Sequence, residues 1–141
     1  MQIEKSAGAI IFIKDKNVEY LLLYRKAKPP YKESWDFPRG NIEDKDDEIQ
    51  TVAREIKEET GISYLRFIKG FREEIGFFYR KEGILVRKSI VYYLAETNYW
   101  DVKISSEHNN FAWLTIDDAM ARLKHKDVRG ILKKAHKIID T

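Results

Sequence analysis

An α/β/α sandwich around a mixed β-sheet, as one domain over residues 1–141, is the fold class this chain predicts. Three observations carry that expectation. Two runs rich in apolar and β-branched residues lie close together near the N-terminus, one central segment repeats with helical period, and a further group of strands is followed by two helical patterns at the C-terminal end. The hydrophobic fraction is 43%, with 13% aromatic, so a chain of this length buries a real core.

Taken in order, Ala7-Gly8-Ala9-Ile10-Ile11-Phe12-Ile13 and Tyr20-Leu21-Leu22-Leu23-Tyr24 read as strands, and Lys14-Asp15-Lys16-Asn17 as the turn that joins them into a hairpin. Residues 28–34 read as a loop. The extended run Trp35-Asp36-Phe37-Pro38-Arg39 closes at Gly40, where the missing side chain lets the backbone turn and its carbonyl approach another group. A helix spans about 47–60 and stops at Gly61, the residue type that most readily takes the left-handed conformation closing a helix. Strands follow near 65–74 and 85–95, with Lys81-Glu82-Gly83 as a turn between them. A short strand at 111–114 precedes helices at about 116–123 and 128–139. The last helix is amphipathic through Val128, Ile131, Leu132, Ala135, Ile138 and Ile139. Phe111 and Trp113 are expected on opposite faces of their short strand, one inward and one outward.

The chain has no Cys, which removes disulfides, and its three widely spaced His argue against a dedicated zinc site. No apolar run is long enough for a membrane span, and the N-terminus lacks the charged, apolar and cleavage regions of a signal peptide. The expectation is a cytoplasmic protein with no membrane partner and no obligate protein partner in evidence. The formal charge is +3 although the central helix is acidic, so positive charge lies elsewhere, which fits an anionic substrate without demanding nucleic acid.

The central helix carries the chemistry. Residues three and four apart are neighbours on a helix surface, so Glu55, Glu58 and Glu59 share one face within about 100°. Glu48, seven residues before Glu55, returns to within about 20° of it. Ile49, Val52, Ala53 and Ile56 define a separate apolar flank that can pack on a sheet. Carboxylates held about 5 to 6 Å apart repel by about 3 kcal/mol per pair at an effective dielectric constant near 20, and a divalent cation converts that cost into affinity. Hard oxygen ligands suit Mg²⁺, with Mn²⁺ the other candidate. Such an ion neutralises phosphate oxygens and lowers the pKa of an attacking water, while a carboxylate left over can take the proton.

The spacing Gly40, Asp46, Arg54-Glu55-Ile56-Lys57-Glu58-Glu59-Thr60-Gly61-Ile62 resembles the Nudix box, with Asp46 standing where the family carries Glu. At ordinary residue frequencies the six retained positions Gly40, Arg54, Glu55, Glu58, Glu59 and Gly61 coincide by chance about once in 10⁷ placements. The resemblance implies a metal-dependent hydrolase cutting a phosphoanhydride bond, with metal held by the Gly40 carbonyl, Glu55, Glu58 and Glu59, Glu58 among the catalytic groups, and Arg54 holding a helix carboxylate through its forked donors. The shorter Asp46 puts an orienting contact at that position in question.

Similarity outside the box is to asymmetrically cleaving diadenosine tetraphosphate hydrolases. It rests on Ser6-Ala7-Gly8-Ala9-Ile10, Trp35-Asp36-Phe37-Pro38-Arg39-Gly40, Gly70-Phe71, Tyr92-Tyr93-Leu94-Ala95 and Glu107-His108 followed by Phe111-Ala112-Trp113-Leu114, over about residues 6–120. That resemblance implies hydrolysis of a dinucleoside polyphosphate to ATP and AMP. It makes Glu107 a further metal ligand or the base, and His108 either a phosphate contact or a plain loop residue. Phe111 is either an adenine-stacking ring or core. Tyr79, within Phe77-Phe78-Tyr79, is either the partner ring of the clamp or hairpin packing. Lys88 matches a cation that reaches the polyphosphate, and Arg39 stands where relatives usually carry Lys, keeping the charge but adding paired donors. The same box serves RNA 5′-end removal, ADP-ribose cleavage and hydrolysis of damaged nucleoside triphosphates, so an RNA 5′ end is an alternative partner, and a degenerate domain of this kind can bind nucleotide or RNA without turnover.

Overall fold

The computed structural model describes residues 1–27, 32–43, 45–105 and 110–140. Strands β1 (Gln2–Lys14) and β2 (Val18–Arg25) form the expected antiparallel hairpin, and helix α1 runs Glu48–Thr60. Strands β5 (Arg66–Lys81) and β6 (Ile84–Glu96) make a long antiparallel pair, longer than the sequence suggests, with a register shift between Phe67 and Arg72. Strand β7 (Asn110–Leu114) and helices α2 (Ile116–Arg122) and α3 (Lys126–Ile139) complete the chain. Two short strands, β3 (Ser34–Asp36) and β4 (Arg39–Asn41), arise from the run that reads from sequence only as extended.

All seven strands belong to one mixed sheet, in which β1 pairs parallel with β6 and antiparallel with its other partners. The registers show how the centre of that sheet is built. Phe12 pairs with Tyr20 on one edge of β1 and with Glu96 on the other, while Ser6 pairs with Asn41 and with Ile90. Likewise Leu23 pairs with Asp36 on one edge of β2 and with Phe111 on the other. Strands β2 and β4 therefore share an edge of β1, and β1 and β3 share an edge of β2. The hairpin splays open, and residues 34–41 fill the wedge. The Ala9 amide donates to the Pro38 carbonyl at 3.2 Å, and a Cβ on Gly8 would lie 2.3 Å from that same oxygen. Only glycine at position 8 lets the wedge close this tightly.

Strand β1 is buried on both faces from Ser6 to Ile13, and its alternation divides the core in two. Ile10 and Phe12 join Tyr20, Leu22, Tyr92, Leu94 and the apolar side of α3. Ala7, Ala9 and Ile11 join Leu21, Leu23, Val91 and the α1 residues Val52 and Ile56. One helix covers one face and two cover the other, which is the α/β/α sandwich. The apolar flank of α1 is narrower than its sequence pattern, since Ile49 in the first turn is 43% exposed. Phe111 and Trp113 both pack on the α1 side, facing Leu23 and Leu21 in register. The expectation of opposite faces is corrected by the pleat itself, because residues two apart on a strand point the same way.

Candidate active site

Helix α1 is fixed at both ends. Asp47 caps its start by accepting from the Gln50 amide at 2.9 Å, and just before it Asp46 accepts from the Glu43 amide at 2.8 Å while its own amide donates to the Glu43 carbonyl at 3.0 Å. The shorter carboxylate at position 46 thus closes a reciprocal turn that feeds the chain into the helix. At the other end Gly61 takes φ 78° and donates to the Lys57 carbonyl at 2.9 Å. Two helix carbonyls near the C-terminal end find partners in a later segment: the Lys103 amide donates to Thr60 at 2.9 Å and the Ser105 amide to Glu59 at 3.0 Å.

The three glutamates of the acidic face differ in setting. Glu58 is 58% exposed, Glu55 is half-buried, and Glu59 is only 5% exposed. Arg54 bridges two of them, its Nη2 lying 3.8 Å from Glu55 Oε1 and its Nη1 3.7 Å from Glu58 Oε1. Gly40 packs directly on Glu55, since a Cβ there would fall 2.4 Å from the carboxylate carbon and 2.5 Å from Oε2. Position 40 must be glycine for a backbone segment and a carboxylate to share this space. Glu48 is drawn away from the set. Arg72 on β5 donates to it through Nε and Nη2, both at 3.0 Å, and the Tyr93 hydroxyl also donates to it. These donors, Arg72 above all, hold the Glu48 carboxyl below the ordinary carboxylate range.

Among the described residues no three His, Asp or Glu side chains already converge on one point. The donor set nevertheless fits a hard divalent cation: every group is an oxygen ligand, and the apposition of Gly40 with Glu55 brings the β4 backbone against a carboxylate. Glu107 and His108 lie outside the described residues.

The other face of the wedge opens into a cavity of about 920 Å³, whose walls include Trp35, Asp36, Arg39, Phe77, Tyr92 and His125. Phe77 and His125 stand 5.6 Å apart between ring centres, tilted by 48°, and Arg122 stacks on Trp35 at 4.7 Å. Asp36 accepts from the Phe37 amide at 2.7 Å and from the Tyr92 hydroxyl at 3.3 Å, and forms an ion pair with Arg39, whose Nε lies 3.1 Å from Oδ2. Surrounding protein holds its pKa above the ordinary carboxylate value, with Arg39 the leading influence in the opposite direction.

Among the described residues, Arg39 is the one member of the sequence-derived substrate set that lines this cavity. Lys88 stands opposite Phe77 in register, and burial followed by repulsion from Arg39 pushes its pKa down. Its ammonium lies 3.8 Å from Glu4, which also accepts from the Tyr79 hydroxyl. Phe77, two residues before Tyr79, reaches the cavity wall, while Phe111 sits on the α1 side of the sheet. Sequence reasoning missed Phe77, His125, Trp35, Asp36 and Tyr92 as wall residues. Four of these fall inside runs already singled out, whereas His125 had no signal beyond preceding a helix.

An acidic helix face, a glycine backbone pressed on one of its glutamates and a cavity beside them are the features by which the fold and site are compared with known hydrolases. The chain belongs to the NUDIX domain family, whose model matches residues 4–135, and it is a Nudix hydrolase, of a family that generally uses divalent metal ions and acts on nucleotides. It is 30% identical over 146 residues to the asymmetrical bis(5′-nucleosyl)-tetraphosphatase of Rattus norvegicus, covering 96% of this chain and 95% of that protein. It is 34% identical over 134 residues to the protein of that name from Caenorhabditis elegans, covering 92% of each. Its structure is similar to that of a C. elegans Ap4A hydrolase binary complex, with TM-score 0.82 and 32% identity over 97% of this chain and 98% of the other. No helix among the described residues is long and apolar enough to cross a membrane.

Proposed function

We propose that this enzyme hydrolyses dinucleoside polyphosphates, cutting diadenosine tetraphosphate asymmetrically to ATP and AMP. The observation that carries this reading is the wedge at residues 34–41, which supplies both Gly40 against Glu55 and the Trp35, Asp36 and Arg39 wall of the cavity. Reacting phosphate and bound nucleoside are then neighbours across one strand segment. The similarity to named tetraphosphatases over nearly the whole chain supports the same substrate class.

In this reading Gly40, Glu55, Glu58 and Glu59, with Glu107 carried over from the sequence, hold Mg²⁺, or Mn²⁺ in its place. When bound, the ion would neutralise phosphate oxygens and acidify the attacking water. Arg54 keeps Glu55 and Glu58 at fixed separation. Glu58, the most exposed of the three box carboxylates, takes the proton of the water, with Glu107 the other candidate. Oxygen–phosphorus bond formation at the phosphate fourth from the bound end breaks the anhydride bond behind it and leaves AMP and ATP. On the cavity side a base stacks against Phe77 and His125, and Arg39 and Lys88 meet the phosphate chain. Tyr79 and Phe111 are proposed to close the site around the substrate from the Glu4 network and from the α1 side, with His108 on the phosphates.

Product analysis tests this reading. Purified protein with Mg²⁺ and diadenosine tetraphosphate is expected to release ATP and AMP in equal amounts, and chelation by EDTA is expected to stop release. Two molecules of ADP, or faster turnover of ADP-ribose, oxidised deoxynucleotides or triphosphorylated RNA in the same panel, would overturn it.

A further inference from the structure

The parallel pairing of β1 with β6 and the antiparallel pairing of β6 with β5 set residues of these strands in rows across the sheet. Lys5, Ser89 and Gly76 make one row, and Ile3, Arg87 and Phe78 make the next. The residues of a row share one face, and so do residues two apart along a strand. Ala7, two beyond Lys5, packs in the core under α1, and Arg72, four before Gly76, donates to Glu48 of α1. Both rows therefore lie on the α1 face of the sheet. Helix α1 does not cover them: Lys5, Gly76 and Arg87 are exposed, and Ile3 and Phe78 are each 60% exposed. The row of Lys5 is one pleat repeat, about 7 Å, from that of Ala7, whose partner on β4 is Gly40. Its floor is low, because Gly76 has no side chain and a Cβ there would meet nothing nearer than the Lys88 carbonyl at 3.7 Å. An open shelf thus starts beside the contact of Gly40 with Glu55 and ends at the ring of Phe78.

The chemistry of the shelf suits a nucleotide. Lys5 and Arg87 make it cationic, and Arg87 has no ion-pair or hydrogen-bond partner among the described residues. An exposed ring on a sheet face, flanked by cations, is a surface on which a base of any identity stacks. A dinucleoside polyphosphate has two nucleosides, and the cavity behind the wedge accommodates one of them. The scissile phosphate lies at the acidic face of α1, so the other end of the molecule emerges on the face that carries the shelf. We propose that the shelf over Gly76 and Ser89 is the subsite for this second nucleoside, the one released as AMP, with its base on Phe78 and its phosphate near Lys5 and Arg87. This rests on the reading that the enzyme cleaves dinucleoside polyphosphates asymmetrically.

Two substrates and two variants test the proposal. Adenosine 5′-tetraphosphate keeps the phosphate chain and lacks the second nucleoside, so the ratio of KM for diadenosine tetraphosphate to KM for this compound isolates the shelf. Phe78→Ala, at an exposed position, is expected to raise that ratio by at least about fivefold through lost stacking. Gly76→Val places a side chain on the floor in space the strand leaves open, and is expected to raise the ratio as much without lowering the thermal midpoint. A ratio within about twofold of wild type in either variant overturns the proposal. The competing occupant of this face is a second copy of the chain; a dimer in sedimentation that Phe78→Ala dissociates, with the ratio unchanged, overturns the subsite in its favour. Failure of the functional reading is separable, because titration of wild-type protein with AMP is expected to shift the amide resonances of Gly76 and Ser89 whether or not turnover occurs. Wild-type protein that cleaves neither compound sinks the functional reading, whereas asymmetric cleavage with no shift at those two amides sinks the shelf alone.

Discussion

The two sides of the wedge at residues 34–41 are built in opposite ways. On the α1 side the groups come from one short stretch, residues 40–61, and a single helix holds three of them at spacings its period dictates. On the cavity side the walls come from β3, β4, β5, β6 and the residues around α2 and α3, which are far apart in the chain and meet only when the sheet is complete. On the proposed function, reaction chemistry sits on a local scaffold and ligand recognition on a non-local one. Substitutions on the first side should act on turnover, and those on the second on affinity.

The largest effect is expected at the acidic face. Glu58→Gln should lower kcat by about 10²- to 10⁴-fold with the thermal midpoint nearly unchanged, since Glu58 is exposed. Glu59→Gln should lower kcat as strongly but also shift the midpoint, because this carboxylate is buried, which its place on the shared acidic face does not reveal. Comparing steady-state kinetics and melting curves of the two variants checks this, and full activity in either would break the contrast between the faces.

Gly40→Ala comes next. The added methyl would overlap the Glu55 carboxylate, displacing it by about 1 Å or more, and about 10²-fold in kcat is expected to go. Mn²⁺ binding followed by electron paramagnetic resonance should weaken in parallel, and unaltered Mn²⁺ affinity would separate Gly40 from the metal site. On the cavity side, Phe77→Ala should raise KM by about 5- to 100-fold through the loss of base stacking, leaving kcat nearly constant. A kcat defect there would show that the division of labour between the faces is incomplete.

The smallest effect is structural. Arg72 holds the Glu48 carboxyl below its ordinary pKa, so the folded state favours the ionised form. The resulting stability is present above the ordinary carboxylate range and disappears as pH falls through the depressed folded value. Glu48→Gln should therefore lower the thermal midpoint at pH 7 by about 3 °C, roughly 1 kcal/mol after allowing for partial solvent screening, with kcat little changed. The difference from wild type should close as pH falls below the ordinary carboxylate range. A constant difference at all pH values would remove Glu48 from this role, and a large loss of kcat would return it to the acidic set.

Much of the scaffold was legible because it depends on local patterns. The hairpin at Lys14-Asp15-Lys16-Asn17, the start of α1 at Asp47 and its stop at Gly61 each follow from residue type at a turn or cap. Strands β3 and β4 were not legible as such, since three-residue strands carry no period and exist only because β1 and β2 separate to admit them. The pairing of Asp36 with Arg39 and of Phe77 with His125 was equally hidden, the first because it depends on that wedge, the second because it joins residues 48 positions apart across two elements.

By itself the sequence determined the acidic helix, its glycine-bounded frame and hence the class of chemistry, because helical period converts spacing directly into a shared face. Tertiary structure decided which of those carboxylates is buried, that Glu48 belongs to Arg72, and which rings and charges line the cavity. Those outcomes depend on sheet register and packing between distant segments, and no local pattern encodes them.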